Sequence, residues 1–144
     1  DFVLNSCQQN KVEQLFHKVK QKPGKPLYIG KKDGRVICAL PGNPASVLSC
    51  FYNYVSLVLH QMSNTHTAMK TVHAELKNNF KKPAGLTHFL KAFYDFDKNE
   101  VQILEGQESF KMSAFVTANC LVELPEDLVE IHAGQTVILH LFNH

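Results

Sequence analysis

Two short segments rich in glycine and proline carry the residues best suited to hold an anion. The first, Lys22-Pro-Gly-Lys-Pro26, is a loop that presents two lysines. The second, Pro41-Gly-Asn-Pro-Ala-Ser46, interrupts an apolar run immediately before a helical pattern begins. The first N–H groups of a helix lack internal partners, and the helix dipole favours negative charge there. Gly42 permits close approach to the backbone, while Asn43 and Ser46 add polar groups. The pattern predicts an anion site, and the structural alternative is a capped helix beside two solvated lysines.

The elements around these segments predict how they are positioned. Leu27–Gly30 has the composition of a short strand, and Arg35–Leu40 is a nearly continuous apolar run, typical of a strand buried on both faces of an α/β sheet. Asn43 suits an N-cap and Pro44 the first position of a helix that should run to about Met62. If the two strands pair, both lysines reach the same end of the sheet as the turn, where ligands bind in open α/β folds.

The remainder of the chain predicts a second, all-β module. Phe2–Gln9 reads as the end of a helix, and the loosely alternating stretch Val12–Lys20 as a strand after a short turn. Ser109–Ala118 is expected to form a short helix or turn. Five alternating segments beyond residue 70 predict a small sandwich or barrel: Val72–Leu76, His88–Tyr94, Val101–Leu104, Leu121–Leu124 and Val137–Phe142. We therefore expect an α/β unit over residues 1–68 and a β-barrel over residues 69–144.

Composition and charge narrow the functional class. The chain is 44% hydrophobic, which fits a globular core, and its net charge of +2 is too small to indicate nucleic-acid binding. The cations are nearly all lysine, with Arg35 as the single arginine. No apolar stretch approaches the length of a membrane span. Neither nucleic acid nor a membrane is expected as a partner.

The cysteines and histidines predict no metal centre. None of the four cysteines has Cys-x-x-Cys spacing, so we expect buried, reduced thiols in a cytoplasmic protein. The eight histidines are scattered without the helical spacing of a metal site. The chain opens at Asp1 without a methionine, so we expect a fragment of a longer protein.

The ordered motifs resemble those of the MoeA and gephyrin E-domain family. Lys22–Pro26 and Ala39–Ser46 are similar to that family's Lys-Pro-Gly-Lys-Pro and Gly-Leu-Pro-Gly-Asn-Pro-x-Ser motifs. Four downstream stretches match its C-terminal barrel in order and approximate spacing: Gly106–Ser109, Ala118-Asn119, Leu124–Glu126 and Ala133-Gly134. The resemblance covers essentially the whole chain.

The resemblance implies a partial MogA-like three-layer α/β unit, followed by a small C-terminal barrel similar to domain IV of MoeA. The implied function is molybdenum cofactor biosynthesis by a molybdopterin molybdenumtransferase, which inserts molybdate into adenylylated molybdopterin and releases AMP. Lys22 and Lys25 are the implied catalytic residues. The implied cofactor-binding residues are Pro41, Gly42, Asn43, Pro44, Ser46, Lys91 and Ser109. Mg²⁺ would be held largely by residues upstream of Asp1, so the fragment alone is expected to be inactive.

Two departures from the family pattern keep other functions open. Lys91 stands where the family has an arginine, and Phe110 follows Ser109 where a histidine is usual. One alternative is a gephyrin-like peptide-binding or scaffold module that uses Phe89, Phe93 and Tyr94, although strand alternation favours core packing for these rings. Another is a scaffold without the chemistry. We also expect a homodimer formed through the apolar edge Val36–Leu40, and a MogA-type adenylyltransferase as a partner.

Overall fold

The computed structural model describes residues 2–65, 70–108 and 111–142. Its first part is a small antiparallel sheet with helices. The helix α1 (Phe2–Gln9) leads into a sheet with the strand order β1-β3-β4. These strands are β1 (Glu13–His17), β3 (Tyr28–Lys32) and β4 (Arg35–Ala39). The predicted helix over Phe2–Gln9 is confirmed. The predicted pairing of the next two strands, β3 and β4, is confirmed as well, because Tyr28 lies opposite Ala39 and Lys32 opposite Arg35.

One expectation for this sheet is wrong. Arg35–Leu40 was predicted to be buried on both faces, but β4 is an edge strand and pairs only with β3 in the described part of the chain. Its residues are exposed or half-buried, and Val36 is 39% exposed. An apolar run reports what the residues prefer, whereas burial depends on neighbouring elements that the sheet described here does not include.

The helix after the Gly-Pro turn is confirmed, with one irregularity. It consists of α2 (Pro44–Cys50), a π-helical turn over Phe51–Val55, and α3 (Ser56–Met62). Asn43 caps it, since its Oδ1 accepts a hydrogen bond from the Ala45 N–H at 3.2 Å.

The second part is a closed five-stranded barrel. Its order is β7-β8-β5-β11-β9, and the additional pairing of β9 with β7 closes it. All five predicted strands are present within one or two residues of the expected bounds: β5 (Thr71–Leu76), β7 (Thr87–Asp95), β8 (Glu100–Ile103), β9 (Cys120–Leu124) and β11 (Thr136–Leu141). Leu76, Val101, Val122, Leu124 and Leu139 are each at most 1% exposed inside it. The barrel interior therefore forms the largest core of the described chain.

Three smaller elements complete the barrel. The two-residue strands β6 (Phe80–Lys81) and β10 (Glu130–Ile131) pair with each other, and Ile131 is buried in the barrel core. The helix α4 (Ser113–Thr117) lies within the predicted helical stretch. The strands β6 and β10 have only two residues each, which is too short for an alternating sequence pattern to reveal them.

A third short strand ties the two parts together. In β2, Gln21 and Lys22 run parallel to Thr87 and His88 of β7. Lys22 therefore belongs to the barrel sheet and not to a free loop, as was expected. The strand ends at Lys22 because the proline that follows has no N–H group to donate. The predicted boundary between residues 68 and 69 lies outside the described residues and stays a prediction.

Candidate functional site

A cavity of about 520 Å³ opens at the edge of β7. One wall comes from Lys22 and Pro23, and another from His88 and Leu90 of β7. The end of β8 and the segment that follows it, residues 104–108, form a third wall. This position is defined by strand pairing, because β2 pairs with the start of β7 and β8 with its end, which leaves the middle of that edge open.

The cavity gathers positive charge around a buried imidazole. His88 is 6% exposed, and burial, followed by the charges of Lys82 and Lys22, lowers its pKa below the usual 6.5. The lowered pKa favours the neutral form of the imidazole, so the charge on this side of the cavity comes from the two ammonium groups. Such an arrangement attracts an anion, whose arrival would also favour protonation of His88.

Lys82 supplies a fixed positive charge. It is 5% exposed, and its Nζ donates to the carbonyls of Leu86 at 3.0 Å, Glu126 at 3.4 Å and Pro83 at 3.5 Å. These bonds hold the loop after β6 against the turn after β9. The ammonium is therefore part of the cavity wall, whereas the side chain of Lys22 is exposed and able to reach a ligand.

The cavity rim also carries a carboxylate that is already paired. Glu108 lies at the rim, and its Oε1 is 3.1 Å from the Nζ of exposed Lys111. A backbone hydrogen bond, followed by the contact with Lys111, lowers the pKa of this carboxyl group. Glu105, which also lines the cavity, and the paired Glu108 offset part of its positive charge.

Gly24 sets the shape of the loop that presents the two predicted catalytic lysines. Its φ is +96°, and a Cβ there would overlap the Cys50 Sγ of α2, so the loop packs directly on that helix. The buried side chain of Gln21 adds hydrogen bonds to the Pro23 carbonyl and from the Tyr54 hydroxyl. Lys25 is exposed at the far side of the loop.

The predicted turn before the helix lies in a different place from Lys22. Pro41 and Gly42 line a separate cleft of about 240 Å³, together with Pro26, Tyr28 and residues of α1. Asn43 caps the helix, and Ser46 is only 6% exposed. The structure thus brings Lys22 to the barrel and keeps the Pro41–Gly42 turn in its own cleft.

The two predicted barrel residues have separate outcomes. The side chain of Lys91 is buried, 4% exposed, and its ammonium contacts backbone carbonyls of the segment after β8. Ser109 lies outside the described residues. The binding roles of both stay predictions.

Three residues at or beside the cavity were missed by the sequence reasoning. His88 and Lys82 belong to no motif whose spacing would indicate a site. In the sequence, each looks like an ordinary surface residue of a β-protein. Gln107 lies within the Gly106–Ser109 motif, so the motif marked its position without indicating its role.

Metal-binding side chains do not cluster in the parts of the chain that the structure describes. Within residues 2–65, 70–108 and 111–142, no three His, Cys, Asp or Glu side chains gather where they could hold a metal ion. In the same ranges, no helix is long and apolar enough to cross a membrane.

The fold places the chain in a class of proteins that join an α/β unit to a small closed barrel, as solved MoeA proteins do. Two family models match: "Probable molybdopterin binding domain" over residues 3–61, and "MoeA C-terminal region (domain IV)" over residues 73–142. The chain belongs to the MoeA family and corresponds to its C-terminal portion.

Named relatives and solved structures agree with this assignment. The chain is 37% identical over 140 residues to the molybdopterin molybdenumtransferase of Haemophilus influenzae, covering 93% of this chain and 35% of that protein. It is 31% identical to molybdopterin molybdenumtransferase 2 of Mycobacterium tuberculosis, covering 83% and 30%. A molybdopterin biosynthesis MoeA protein from Pyrococcus horikoshii superposes with a TM-score of 0.79 at 26% identity, covering 97% of this chain and 34% of that one. The chain thus spans about a third of the length of these relatives.

Proposed function

We propose that the protein carrying this chain acts in molybdenum cofactor biosynthesis, as a transferase that inserts molybdate into adenylylated molybdopterin with release of AMP. The basic cavity at the open edge of β7, beside Lys22, is the observation that carries the proposal. The names of the relatives and the two matching family models support the same function.

In this proposal the cavity takes the oxyanion. Lys22 is the exposed cation that contacts it, and the buried ammonium of Lys82 adds positive charge from the wall. Lys25 is exposed on the loop after β2 and completes the predicted pair of catalytic lysines. Fixed cations in a partly enclosed site lower the energy of a negatively charged transition state without costly reorganisation. The contribution of this chain is therefore to bind and neutralise anions.

The Pro41–Ser46 turn has a secondary role in the proposal. Its cleft adjoins α1 and Tyr28, and its exposed Gly42 leaves the backbone open to a ligand. We assign this surface to contact with part of the pterin substrate.

The described residues do not form a magnesium site. The described residues offer no cluster of carboxylates, and the rim carboxylate Glu108 is already paired with Lys111. These residues do not fit a Mg²⁺ site, so no step of the proposal is assigned to the ion.

The proposed setting is a cytoplasmic homodimer that receives its substrate from a MogA-type adenylyltransferase. The unpaired edge of β4 supports self-association, as do the exposed side chains of Val36, Leu57 and Leu59, which are 39%, 41% and 50% exposed. Light scattering of the natural full-length protein tests this point. A monomeric mass at high concentration would contradict it.

The peptide-binding alternative has less support. Of its three aromatic residues, Tyr94 is buried in the barrel core and Phe89 packs against a cluster that includes Phe142. Phe93 is 45% exposed. One exposed ring does not make a peptide groove, and the relatives are named as transferases.

A reconstitution assay tests the proposed function. Natural full-length protein is mixed with adenylylated molybdopterin, molybdate and Mg²⁺, and AMP release and activation of an apo-molybdoenzyme are followed. We expect both activities in the wild type and their loss in Lys22→Ala. As the matched control, Lys31→Ala alters an exposed lysine on β3 away from the cavity. A wild-type protein without either activity would refute the proposal.

A further inference from the structure

Lys91 lies on the outer face of the barrel but is almost completely buried. Its neighbours in β7, Leu90 and Ala92, point into the barrel core, so the side chain of Lys91 points outward. It is nevertheless 4% exposed. Its ammonium contacts the chain that runs from β8 to α4, and lies 5.4 Å from the centre of the Phe115 ring of that helix.

All three donors of this ammonium are directed at backbone carbonyls. The Nζ donates to Gly106 at 2.5 Å, to Lys111 at 3.0 Å and to Glu108 at 3.4 Å. A lysine ammonium has three N–H groups, and these bonds occupy them. Among the described residues no carboxylate forms an ion pair with this ammonium, and burial lowers the pKa of Lys91. The lysine thus holds the segment and leaves no donor free for a ligand.

Gln107 fastens the same segment from the other direction. Its Oε1 accepts from the Lys91 backbone N–H at 3.0 Å, and its Nε2 donates to the Lys91 carbonyl at 2.8 Å. A third bond joins Nε2 to the Leu104 carbonyl at 2.7 Å. The side-chain amide thereby occupies the position of a strand residue along β7, in the interval between β2 and β8.

We propose that Lys91 and Gln107 form a clamp that positions residues 104–108 as a wall of the oxyanion cavity, with Lys91 a positioning residue that does not itself bind the oxyanion. This inference rests on the proposed oxyanion site for its functional consequence. The contacts of the clamp are present in the ligand-free protein and do not depend on that site. It differs from the role implied by sequence resemblance, in which the residue at this position contacts the ligand.

Hydrogen exchange of the natural full-length protein without oxyanion tests the clamp directly. The reporters are the backbone amides of Leu104, which donates to the Lys91 carbonyl, and Lys111, which donates to Glu108. In both Lys91→Met and Gln107→Ala we expect these amides to exchange about tenfold faster or more, because each variant removes hydrogen bonds that hold the segment. Exchange in the β5–β11 pair should be unchanged. Unchanged exchange of Leu104 and Lys111 would overturn the proposal.

Molybdate titrations of the same variants separate positioning from direct binding. Because both residues act through one segment, we expect the double variant to lose no more affinity than the weaker-binding single variant. A direct ligand would give losses that multiply. If Lys91→Met fails to fold, hydrogen exchange in Gln107→Ala, which retains the Lys91 ammonium, tests the clamp on its own.

The arginine variant gives the sharpest contrast. If Lys91 bound the oxyanion, Lys91→Arg would keep or improve affinity through its two-pronged grip. If Lys91 is a clamp, the larger planar group does not fit the three carbonyls, so exchange rises and affinity falls about fivefold or more. Retained affinity with unchanged exchange would overturn the inference. A wild type that binds no molybdate would refute the proposed function, while the exchange experiment would still test the clamp.

Discussion

Lys81 and Lys82 are adjacent lysines with opposite surroundings, so replacing each by methionine isolates the effect of burial. Lys82 is 5% exposed and its ammonium bonds to three carbonyls, the shortest at 3.0 Å. The side chain of Lys81 is 73% exposed and pairs with Glu130 at 2.9 Å. Methionine keeps most of the apolar stem in both variants and removes the charge. The comparison therefore measures the buried hydrogen bonds with a neighbour as the control.

The structure sets the expected size of the effect. A hydrogen bond to a charged group contributes roughly 1.5–3 kcal/mol, and the two longer Lys82 bonds, at 3.4 and 3.5 Å, add little. For Lys82→Met we expect a loss of about 2 kcal/mol in the free energy of unfolding, or about 6 °C in Tm for a chain of this size. Lys81→Met should change Tm little, since an exposed ion pair is screened by solvent.

Thermal and urea unfolding of wild type and both variants provide the assay. The slope of unfolding free energy against urea should stay constant, which shows that the variants unfold to a similar extent. Equal losses for the two variants would refute the reasoning, because they would mean that the carbonyl bonds of Lys82 contribute nothing beyond an exposed charge.

Three further predictions follow from local geometry. Gly24→Ala should lower Tm and weaken molybdate binding together, because a Cβ would overlap Cys50 and displace the loop that carries the lysines; a fully stable variant would contradict this. Burial raises the pKa of Cys50 to about 11 and of Cys120 to about 12. Native protein at pH 8 should therefore be alkylated at half-buried Cys38 before Cys50 or Cys120. Rapid labelling of Cys120 would contradict this prediction. The folded pKa of His88 lies below 6.5, so the unfolded chain binds more protons than the folded one as the pH falls through that value, and the free energy of unfolding decreases with acidification. His88→Gln should flatten this dependence on pH. An identical pH dependence in the variant would count against a lowered pKa for His88.

The sequence predicted those elements whose signal is local. The period-2 alternation of Val137–Phe142 and its four companion strands indicated the barrel to within one or two residues. The N-cap at Asn43 followed from the chemistry of its side chain. The burial of β4 was mispredicted, because it depends on neighbours and not on the strand's own residues.

The cavity could be predicted only in part. The loop motif identified Lys22, but its pairing with β7 is a long-range contact of two residues, too short to leave a periodic pattern. His88 and Lys82 become functional candidates only when the folded chain brings them beside Lys22. The family resemblance implied a ligand contact for Lys91, but the segment after β8 covers its side chain and binds its ammonium.

Calorimetric titration of molybdate into the natural full-length protein tests the central claim, that the cavity beside Lys22 is the oxyanion site. Wild type, Lys22→Ala and the control Lys31→Ala are compared at one pH and salt concentration, because exposed charges are screened. We expect affinity to fall about tenfold or more in Lys22→Ala and to stay unchanged in Lys31→Ala. Equal affinity in all three proteins would contradict the account and exclude this cavity as the site of oxyanion binding.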